Sequence, residues 1–259
     1  MSYVDGKIAI VTGAASGFGS ITARLLAERG ATVAGFDVTE APGCQVVDVT
    51  DRHAVKAGVD AVVKERGRVD ILVNNAGIMP LAFLADHERA ADAWDRCIDI
   101  NFKGVLHGVE AVYDHMVAQG GGHIVNLASI YGNYGVAGAA VYSSTKAAVI
   151  AFSNALRVEA QGKIKVTVVR PTGVPGTGLF AGIMDFQAPL AMAGHNVERF
   201  MSNAGAAGTD PEMSDPDNVR YWAITPEELA TQIVHVIDQP AGVNISDITV
   251  RATGEDYVY

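Results

Sequence analysis

A tyrosine and a lysine stand four residues apart in the second half of the chain, at Tyr142 and Lys146. On an α-helix this spacing places both side chains on one face, about 6 Å apart along the axis. The pKa of a free tyrosine is about 10, so its phenol is a poor base at neutral pH. A nearby ammonium group stabilises the phenolate and lowers that pKa. Unless the two residues form only an exposed pair on a helix, they are predicted to exchange a proton with a substrate hydroxyl.

A serine lies a short distance upstream of this pair. Ser129 follows an apolar run that ends at Ala128, and open parallel sheets bind ligands where their strands end. Its hydroxyl is suited to donate a hydrogen bond to a substrate oxygen. Tyr131 and Tyr134 have no lysine four residues on, so they are set aside as catalysts and become candidates for lining the substrate pocket.

A glycine-rich turn occupies residues 12–19, between a β-branched run and a helical pattern. A tight strand-to-helix turn and the close approach of a pyrophosphate both favour residues without a Cβ. The helix that follows offers unpaired N–H groups and the positive end of its dipole to phosphates. An ordinary glycine-rich connection is the alternative. The residues expected to contact a dinucleotide here are Gly13, Ser16, Gly17, Phe18 and Gly19.

The second β-branched run ends in an acidic residue, Asp37, 18 residues after Gly19. A carboxylate there accepts hydrogen bonds from the ribose hydroxyls of adenosine and repels a 2′-phosphate. The positions where a compensating cation would stand are Ala14, Ala15 and Val38, and none is basic. The sequence therefore favours NAD over NADP, with a surface-turn role for Asp37 as the alternative.

A second acidic residue closes the third run, at Asp48-Val49. This pair is expected to meet the adenine ring of the same cofactor. Aspartate is also a common turn residue, so the assignment of these two residues is weaker than that of Asp37.

Strand and helix patterns alternate along the chain. This alternation predicts an α/β fold with a doubly wound parallel sheet and helices on both faces. The strands are near-continuous apolar runs, as expected when both faces of a sheet are buried. They are predicted at residues 7–12, 31–37, 45–49, 69–74, 123–128, 164–170 and 245–250.

Residues 178–222 break this alternation and are predicted to form an irregular lid over the substrate. The first half of the lid is apolar and rich in methionine, which suits a hydrophobic substrate. Packing of the lid against the domain explains the same composition equally well. The residues of the lid expected to contact the substrate are Leu179, Phe180 and Met184.

The composition excludes several classes of protein. Of 259 residues, 49% are hydrophobic and 19% are charged, which is enough apolar material for a single large domain over residues 1–259. The net charge of −10 is unfavourable for binding nucleic acid or an anionic membrane. Cys44 and Cys97 form no disulfide framework and have no catalytic context, and the seven histidines show no metal-ligand spacing. No run is long enough to span a bilayer, and the N-terminus lacks a signal-peptide core, so a cytoplasmic location is predicted.

Together these motifs resemble the short-chain dehydrogenase/reductase family, in its branch of about 250 residues, over nearly the whole chain. The glycines of residues 12–19 match the cofactor turn of the family, and the run Asn74-Asn75-Ala76-Gly77 matches its second signature. The resemblance implies a Rossmann fold with seven parallel strands in the order 3-2-1-4-5-6-7. It also implies a catalytic tetrad formed by Asn101, Ser129, Tyr142 and Lys146.

The resemblance also assigns roles to individual residues. Lys146 and Tyr142 would contact the nicotinamide ribose, and Asn101 would distort its helix locally and support a water molecule linked to Lys146. Asn74, Ala76 and Gly77 would lie near the adenosine ribose, while Asn75 would be structural. The helices predicted at residues 101–118 and 141–160 would form the core of a homodimer or homotetramer.

One segment departs from the family pattern. After the sixth strand the family has Pro-Gly with a valine and a threonine close behind, whereas this chain has Thr172 after Pro171. The threonine expected to bond the nicotinamide carboxamide comes one residue late. Val174 and Thr177 are assigned to that role, and Pro171 and Thr172 are expected to lie beside the cofactor.

These inferences predict an NAD-dependent oxidoreductase that interconverts a secondary alcohol and a ketone, with Tyr142 as the general acid and base. The substrate is expected to be a small apolar molecule. One alternative is a protein of the same fold that senses NAD or acts as a scaffold without catalysis, although binding alone requires no acid–base pair. A second alternative is an epimerase or dehydratase acting on nucleotide sugars, which the short C-terminal part disfavours.

Overall fold

The computed structural model describes residues 2–257. Within these residues, seven strands form one parallel sheet in the order β3-β2-β1-β4-β5-β6-β7. The predicted fold class and strand order are confirmed, and most predicted strand limits differ from the observed ones by one or two residues. The strands are β1 (Ile8–Thr12), β2 (Thr32–Asp37), β3 (Cys44–Val46), β4 (Ile71–Asn74), β5 (Gly122–Leu127), β6 (Ile164–Pro171) and β7 (Asp247–Val250).

Helices cover both faces of the sheet. Side chains of α1 and α9 pack on one face, and side chains of α2, α4 and α5 pack on the other. No helix among residues 2–257 is both long and apolar enough to cross a membrane. The α-helices are α1 (Gly17–Glu28), α2 (Arg52–Arg66), α3 (His87–Ile98), α4 (Gly104–Ala118), α5 (Ala140–Glu159), α6 (Ala188–Ala191), α7 (Val197–Ala206), α8 (Pro211–Ser214) and α9 (Pro226–Ile237).

The central strands are buried from end to end. All residues of β1 and β4 are buried, and five of the six residues of β5 are buried. Both faces of these strands therefore contact apolar helix surfaces, which explains why their sequences are continuous hydrophobic runs rather than alternating ones. The sheet is a rigid support for the residues that follow its strands.

The carboxyl ends of β1, β4 and β5 are tied together by side chains. The Thr12 hydroxyl accepts hydrogen bonds from the backbone N–H groups of Asn75 and Ala76, each over 3.0 Å. Asn74 Nδ2 donates to Asn126 Oδ1 over 2.8 Å. These bonds fix the relative positions of the loops that leave this edge of the sheet.

The sequence predicted an irregular lid at residues 178–222, but this segment contains short helices. We keep the name lid for it. It contains 3-10 turns at Gly178–Gly182 and Gly194–Asn196, together with α6, α7 and α8. Asp210 caps α8 by accepting a hydrogen bond from the backbone N–H of Glu212 over 3.0 Å. The many glycine, alanine and methionine residues give no clear apolar periodicity, so the helices could not be recognised from the pattern.

Candidate active site

A cleft of about 750 Å³ opens at the carboxyl ends of the strands. Its walls come from the glycine-rich turn after β1, the ends of β2, β4, β5 and β6, helix α3, the start of α5 and the lid. This is the edge at which open parallel sheets bind their ligands. Most of the predicted site residues line this cleft, with the exceptions given below.

Tyr142 and Lys146 lie together at the bottom of the cleft. Both side chains are buried, with 4% and 5% of their surfaces exposed, so they are not an exposed helix pair. Lys146 Nζ lies 5.8 Å from the centroid of the Tyr142 ring and donates a hydrogen bond to the Leu127 carbonyl oxygen over 2.8 Å. Helix α5 therefore presents both groups to the cleft from one face, as the four-residue spacing predicted.

Burial dominates the acid–base properties of this pair. It raises the pKa of Tyr142 to about 12, although a hydrogen bond with Ser129 acts in the opposite direction. Burial also lowers the pKa of Lys146 to about 8. Burial therefore opposes the effect predicted for the lysine on the pKa of Tyr142, because removing two groups from water favours their neutral forms.

Ser129 connects the tyrosine to the end of β5. It is buried, and its hydroxyl oxygen accepts a hydrogen bond from the backbone N–H of Tyr131 over 3.2 Å. Ser129 lies close enough to the Tyr142 phenol to act on its pKa, and both residues line the cleft. A substrate oxygen placed there would meet both groups.

Asn101 lies behind this group in a distorted part of its helix. The chain is π-helical over Asp99–Lys103, and α4 starts only at Gly104. Asn101 Oδ1 accepts a hydrogen bond from the Ile78 N–H, and its Nδ2 donates to the Ile78 carbonyl oxygen, both over 2.9 Å. The residue thus fixes the loop after β4, a function that the sequence analysis did not assign to it.

Cys97 also belongs to this region, contrary to the sequence analysis. Asn101 Nδ2 donates to Cys97 Sγ over 3.3 Å, and the thiol is fully buried. Burial raises the pKa of Cys97 to about 11, while the nearby charge of Lys146 acts to lower it. This contact was not predicted, because Cys97 precedes Asn101 by one helical turn in a segment that had no assigned motif.

The glycines of the cofactor turn are required by its geometry. Gly13 and Gly17 have φ angles of 67° and 55°, which favour glycine. A Cβ on Gly19 would overlap the Gly13 carbonyl oxygen and the Asn75 side-chain amide. Asn75 Nδ2 itself donates to the Thr12 carbonyl oxygen over 2.9 Å, so the turn and the loop after β4 are joined.

The start of α1 is suited to a phosphate group. Its N-cap, Ser16, makes no side-chain capping bond, and the first turn contains no acidic residue. The N–H groups of that turn thus remain available to an anion at the positive end of the helix dipole. Gly13, Ser16, Gly17, Phe18 and Gly19 all line the cleft.

The acidic residues after β2 and β3 lie at the same cleft. Asp37 accepts hydrogen bonds from the N–H groups of Ala15, over 3.0 Å, and Thr39, over 2.9 Å, and each of its oxygens can accept one more. Asp48 Oδ1 accepts from the backbone N–H of Thr50 over 2.9 Å, so it does form a turn. Both carboxylates and Val49 line the cleft.

Asn74 is not among the residues that line the cleft, and its predicted contact with the cofactor stays a prediction. Its side chain is buried and faces β5, where it bonds to Asn126. The hydrogen-bonding partner on the neighbouring strand draws the amide into the sheet. Asn75, Ala76 and Gly77 do line the cleft.

The unusual loop after β6 reaches the cleft despite its departure from the family pattern. The residues that line the cleft there include Pro171, Thr172, Val174 and Thr177. Thr177 Oγ1 donates to the Val174 carbonyl oxygen over 3.4 Å, within the same turn. The predicted positions of these four residues beside a cofactor are compatible with this geometry.

The substrate end of the cleft is only partly as predicted. Tyr131, Leu179 and Phe180 line it, whereas Met184 does not. The backbone of Met184 is held outside, where its N–H donates to the Leu81 carbonyl oxygen over 2.9 Å. Tyr134 is 63% exposed and is absent from the cleft wall.

Several residues of this end were missed. They come from three separate segments and share no spacing or motif that could have revealed them. They are Met79, Leu81, Pro189, Met192, Phe200 and Tyr257. Among residues 2–257, no group of three or more His, Cys, Asp or Glu side chains is placed to hold a metal ion.

Comparison with protein families identifies one match that covers most of the chain. Residues 7–187 match the family model described as short chain dehydrogenase. An uncharacterised oxidoreductase of Staphylococcus saprophyticus is 31% identical over 98% of this chain and 99% of its own length. A 3-oxoacyl-[acyl-carrier-protein] reductase of Thermotoga maritima is 39% identical over 65% of this chain and 74% of its own length.

Solved structures show the same architecture. The closed form of a serine dehydrogenase complexed with NADP+ has a TM-score of 0.77 and 28% identity, over 97% of each chain. A short-chain dehydrogenase/reductase from Burkholderia phymatum, in complex with NAD, has a TM-score of 0.75 and 26% identity, over 96% of this chain and 90% of that one. One of these two structures therefore contains NADP+ and the other contains NAD.

Proposed function

Because the chain belongs to the short-chain dehydrogenase family of oxidoreductases, we propose that it interconverts a secondary alcohol and a ketone with NAD as the hydride carrier. The observation that carries this proposal is the burial of Ser129, Tyr142 and Lys146 together in the wall of one cleft, with Lys146 Nζ 5.8 Å from the tyrosine ring centroid. Three polar groups converge there, as acid–base chemistry on a hydroxyl group requires.

Each residue then has a defined task. In alcohol oxidation, Tyr142 takes the hydroxyl proton, and in ketone reduction it returns that proton. Ser129 holds the substrate oxygen beside the phenol, and Lys146 supplies positive charge that favours the phenolate. Asn101 anchors the loop beside Lys146 and completes the proton relay. The nicotinamide, when bound, accepts or donates the hydride.

The residues at the other end of the cleft fit an adenosine diphosphate group. The first turn of α1 and the glycine turn would hold the diphosphate, and Asp37 would accept from the ribose hydroxyls. Among the described residues that line the cleft, Arg96 and Lys146 are the cationic ones, and neither lies in the glycine turn or at the end of β2. The carboxylate of Asp37 without a cation on either side supports NAD over NADP.

A protein that senses NAD without catalysis is the second candidate. It would use the same cofactor turn and Asp37, but it would have no need of a phenol buried in the same cleft wall as a serine and a lysine. Burying the polar groups of Tyr142 and Lys146 costs free energy, and a protein that only binds NAD would gain nothing from that burial. The arrangement therefore favours the enzyme.

The direct test follows nicotinamide absorbance with NAD and a panel of secondary alcohols, with NADP in parallel. We expect turnover with NAD and a loss of about 10²- to 10⁴-fold in kcat in the variant Tyr142→Phe, because the general base is removed. The exposed Tyr134→Phe provides a matched control with unchanged kcat. Full turnover by Tyr142→Phe would overturn the mechanism, and NAD binding without turnover of any alcohol would favour the sensing function.

Assembly and location are predictions that extend this proposal. We propose a homodimer or homotetramer formed through α4 and α5, where Val158 is 72% exposed and apolar. Light scattering after gel filtration measures the mass directly, and a monomeric mass would reject the assembly. A cytoplasmic location stays a prediction from the sequence.

A further inference from the structure

The last described residues of the chain, 254–257, lie between the lid and the loop after β6. We call them the tail segment. The backbone N–H of Gly254 donates to the Tyr221 carbonyl oxygen over 2.8 Å, at the end of the lid. A Cβ on Gly254 would overlap the backbone of Arg220. The tail segment is thus packed closely against the lid rather than lying on the surface.

Asp256 attaches the tail segment to the lid. Its carboxylate is buried, with 1% of the residue exposed, and is paired with Arg199 of α7. Oδ2 accepts hydrogen bonds from Asn203 Nδ2 over 2.9 Å and from Trp222 Nε1 over 2.8 Å. One carboxylate therefore binds side chains on one face of α7 and Trp222 at the end of the lid. Through these contacts it positions the aromatic side chain of Phe200, which lies on α7.

Tyr257 lies in the cleft wall beside two other aromatic rings. Its ring centroid is 6.0 Å from that of Tyr131, at an interplanar angle of 89°, and 5.8 Å from that of Phe200, at 52°. A Cβ on Gly173 would overlap the Tyr257 ring and hydroxyl. Glycine at this position allows the ring to reach the loop after β6, and all four residues line the cleft.

This aromatic group adjoins the reacting groups. Tyr131 follows Ser129 by two residues, and its backbone N–H donates to the Ser129 hydroxyl oxygen. Tyr131, Tyr142 and Tyr257 belong to one apolar cluster with Met192 and Leu179 of the lid. The side chains that the lid and the tail segment contribute to the cleft wall are uncharged. On the side formed by the lid and the tail segment, a substituent on the reacting carbon would therefore meet aromatic and aliphatic side chains, whereas Asp92, Asp95 and Arg96 line the cleft from α3.

We propose that the tail segment is the outer wall of the substrate pocket and that Tyr257, with Tyr131 and Phe200, selects secondary alcohols and ketones that carry an uncharged aryl group. This inference rests on the proposed function and names the substrate class of the same site. Aromatic rings favour edge-to-face or offset contacts at centroid distances of 4.5 to 7 Å. The rings of Tyr131 and Phe200 already adopt such distances from Tyr257, so an aryl substituent would extend an existing arrangement.

Asp256 is a positioning residue in this proposal, because it acts through Arg199, Asn203 and Trp222 and does not itself line the cleft. Without its charge, α7 would lose the group that fixes Phe200. The pocket would then bind aryl substrates less tightly while the groups that transfer the proton stay in place.

The first experiment compares 1-phenylethanol with 1-cyclohexylethanol, which differ in aromaticity at similar size. We expect kcat/KM to favour the aryl alcohol by about three- to tenfold, the range of aromatic pair interactions. Tyr257→Leu should abolish that preference, Tyr257→Phe should retain it, and the exposed Tyr134→Leu should leave it unchanged. Equal preference in the unmodified chain and in Tyr257→Leu would overturn the proposal.

The second experiment tests the attachment of the lid. Asp256→Asn should raise KM for 1-phenylethanol several-fold with kcat nearly unchanged, and should change the fluorescence of Trp222 in a Trp94→Phe background. Asp247→Asn is the matched control, because Asp247 is also ion-paired, with Arg170 and Arg157, but lies at the start of β7. A loss of kcat with unchanged KM, or equal effects of the two variants, would reject the positioning role.

A binding measurement separates this inference from the proposed function. Calorimetry with the chain saturated in oxidised NAD, which has no hydride to donate to a ketone, compares acetophenone with cyclohexyl methyl ketone and requires no turnover. Tighter binding of acetophenone that Tyr257→Leu removes would support the aryl pocket even if no alcohol is oxidised, in which case the proposed reaction alone fails. Turnover of alcohols without any aryl preference in binding would reject the aryl pocket and leave the reaction intact.

Discussion

Lys146 Nζ lies 5.8 Å from the centroid of the Tyr142 ring, and both side chains are buried one helical turn apart in α5. Their common burial shifts both pKa values toward the neutral forms, to about 12 for the tyrosine and about 8 for the lysine. Removal of the proton from Tyr142 is therefore unfavourable unless a further positive charge is bound nearby.

The first prediction concerns the pH dependence of the reaction. Because alcohol oxidation needs the phenolate and the pKa of Tyr142 is raised, kcat/KM for oxidation should rise with pH through the neutral and alkaline range. Ketone reduction needs the phenol, so its kcat/KM should fall only as pH approaches the raised pKa of Tyr142. Lys146→Ala removes the stabilising charge and should move both profiles to higher pH.

Lys165→Ala is the control for this measurement, since Lys165 is also partly buried but lies on β6 outside the cleft. Its profile should coincide with that of the unmodified chain. A flat profile for oxidation, with a substrate deuterium isotope effect showing that hydride transfer limits the rate, would contradict the role of Tyr142.

The second prediction concerns the choice of cofactor. Asp37→Ala removes the carboxylate that would bond the ribose and repel a 2′-phosphate, so the ratio of kcat/KM for NAD to that for NADP should fall by tenfold or more. Asp48→Ala should weaken both cofactors equally, because the adenine is common to them. An unchanged ratio in Asp37→Ala would mean that this carboxylate does not contact the ribose. In that case Arg96→Ala would test whether Arg96, which lines the cleft together with Lys146, affects the choice of cofactor.

The third prediction concerns stability in acid. Burial lowers the pKa of His123 to about 3, and among the described residues its Nδ1 has no hydrogen-bond partner. Between about pH 6.5 and pH 3 the unfolded chain binds a proton that the folded chain does not. The free energy of unfolding should thus fall with decreasing pH, by up to about 1.4 kcal/mol per pH unit from this residue alone.

Urea unfolding at pH 7 and pH 4.5 measures this effect. His123→Gln should lose less stability than the unmodified chain between the two values, even if it is less stable at pH 7. The exposed His235→Gln should follow the unmodified chain. Equal losses in all three proteins would show that His123 does not control acid sensitivity.

The fourth prediction concerns the two thiols. Cys97 is fully buried with a pKa raised to about 11, whereas Cys44 is partly exposed. Since the thiolate is the reactive form, a maleimide at pH 7.5 should modify Cys44 much faster than Cys97, as measured by peptide mass spectrometry. Mild urea should increase the modification of Cys97. Rapid labelling of Cys97 in the native protein would mean that the region around Asn101 opens readily.

Motifs predicted the fold and the placement of Tyr142 and Lys146 on one face of α5, because these depend on short-range patterns. The spacing of Tyr142 and Lys146 defines one helix face, and the glycines after β1 are fixed by local backbone geometry. The hydrogen bond between Asn74 and Asn126 could not be predicted, because the two residues are 52 positions apart in the chain.

The substrate end was the least predictable part. Tyr131, Phe200 and Tyr257 meet only after the lid has folded over the sheet, and no spacing relates them. The effect of burial on the pKa of Tyr142 could not be predicted, for a similar reason. The sequence shows the neighbouring lysine, but the loss of solvent around both groups depends on the complete packing of α5, the lid and the tail segment.

The contact between Gly19 and the Asn75 amide has a consequence for attempts to alter this protein. Two loops separated by more than fifty residues share one small volume, so neither can be diversified independently of the other. A library that randomises the turn after β1 would mostly yield chains that fail to assemble this edge of the sheet. Asp37 is tied to the same turn through the Ala15 N–H, whereas the exposed Val38 lies outside that constraint and can be varied while the architecture is kept.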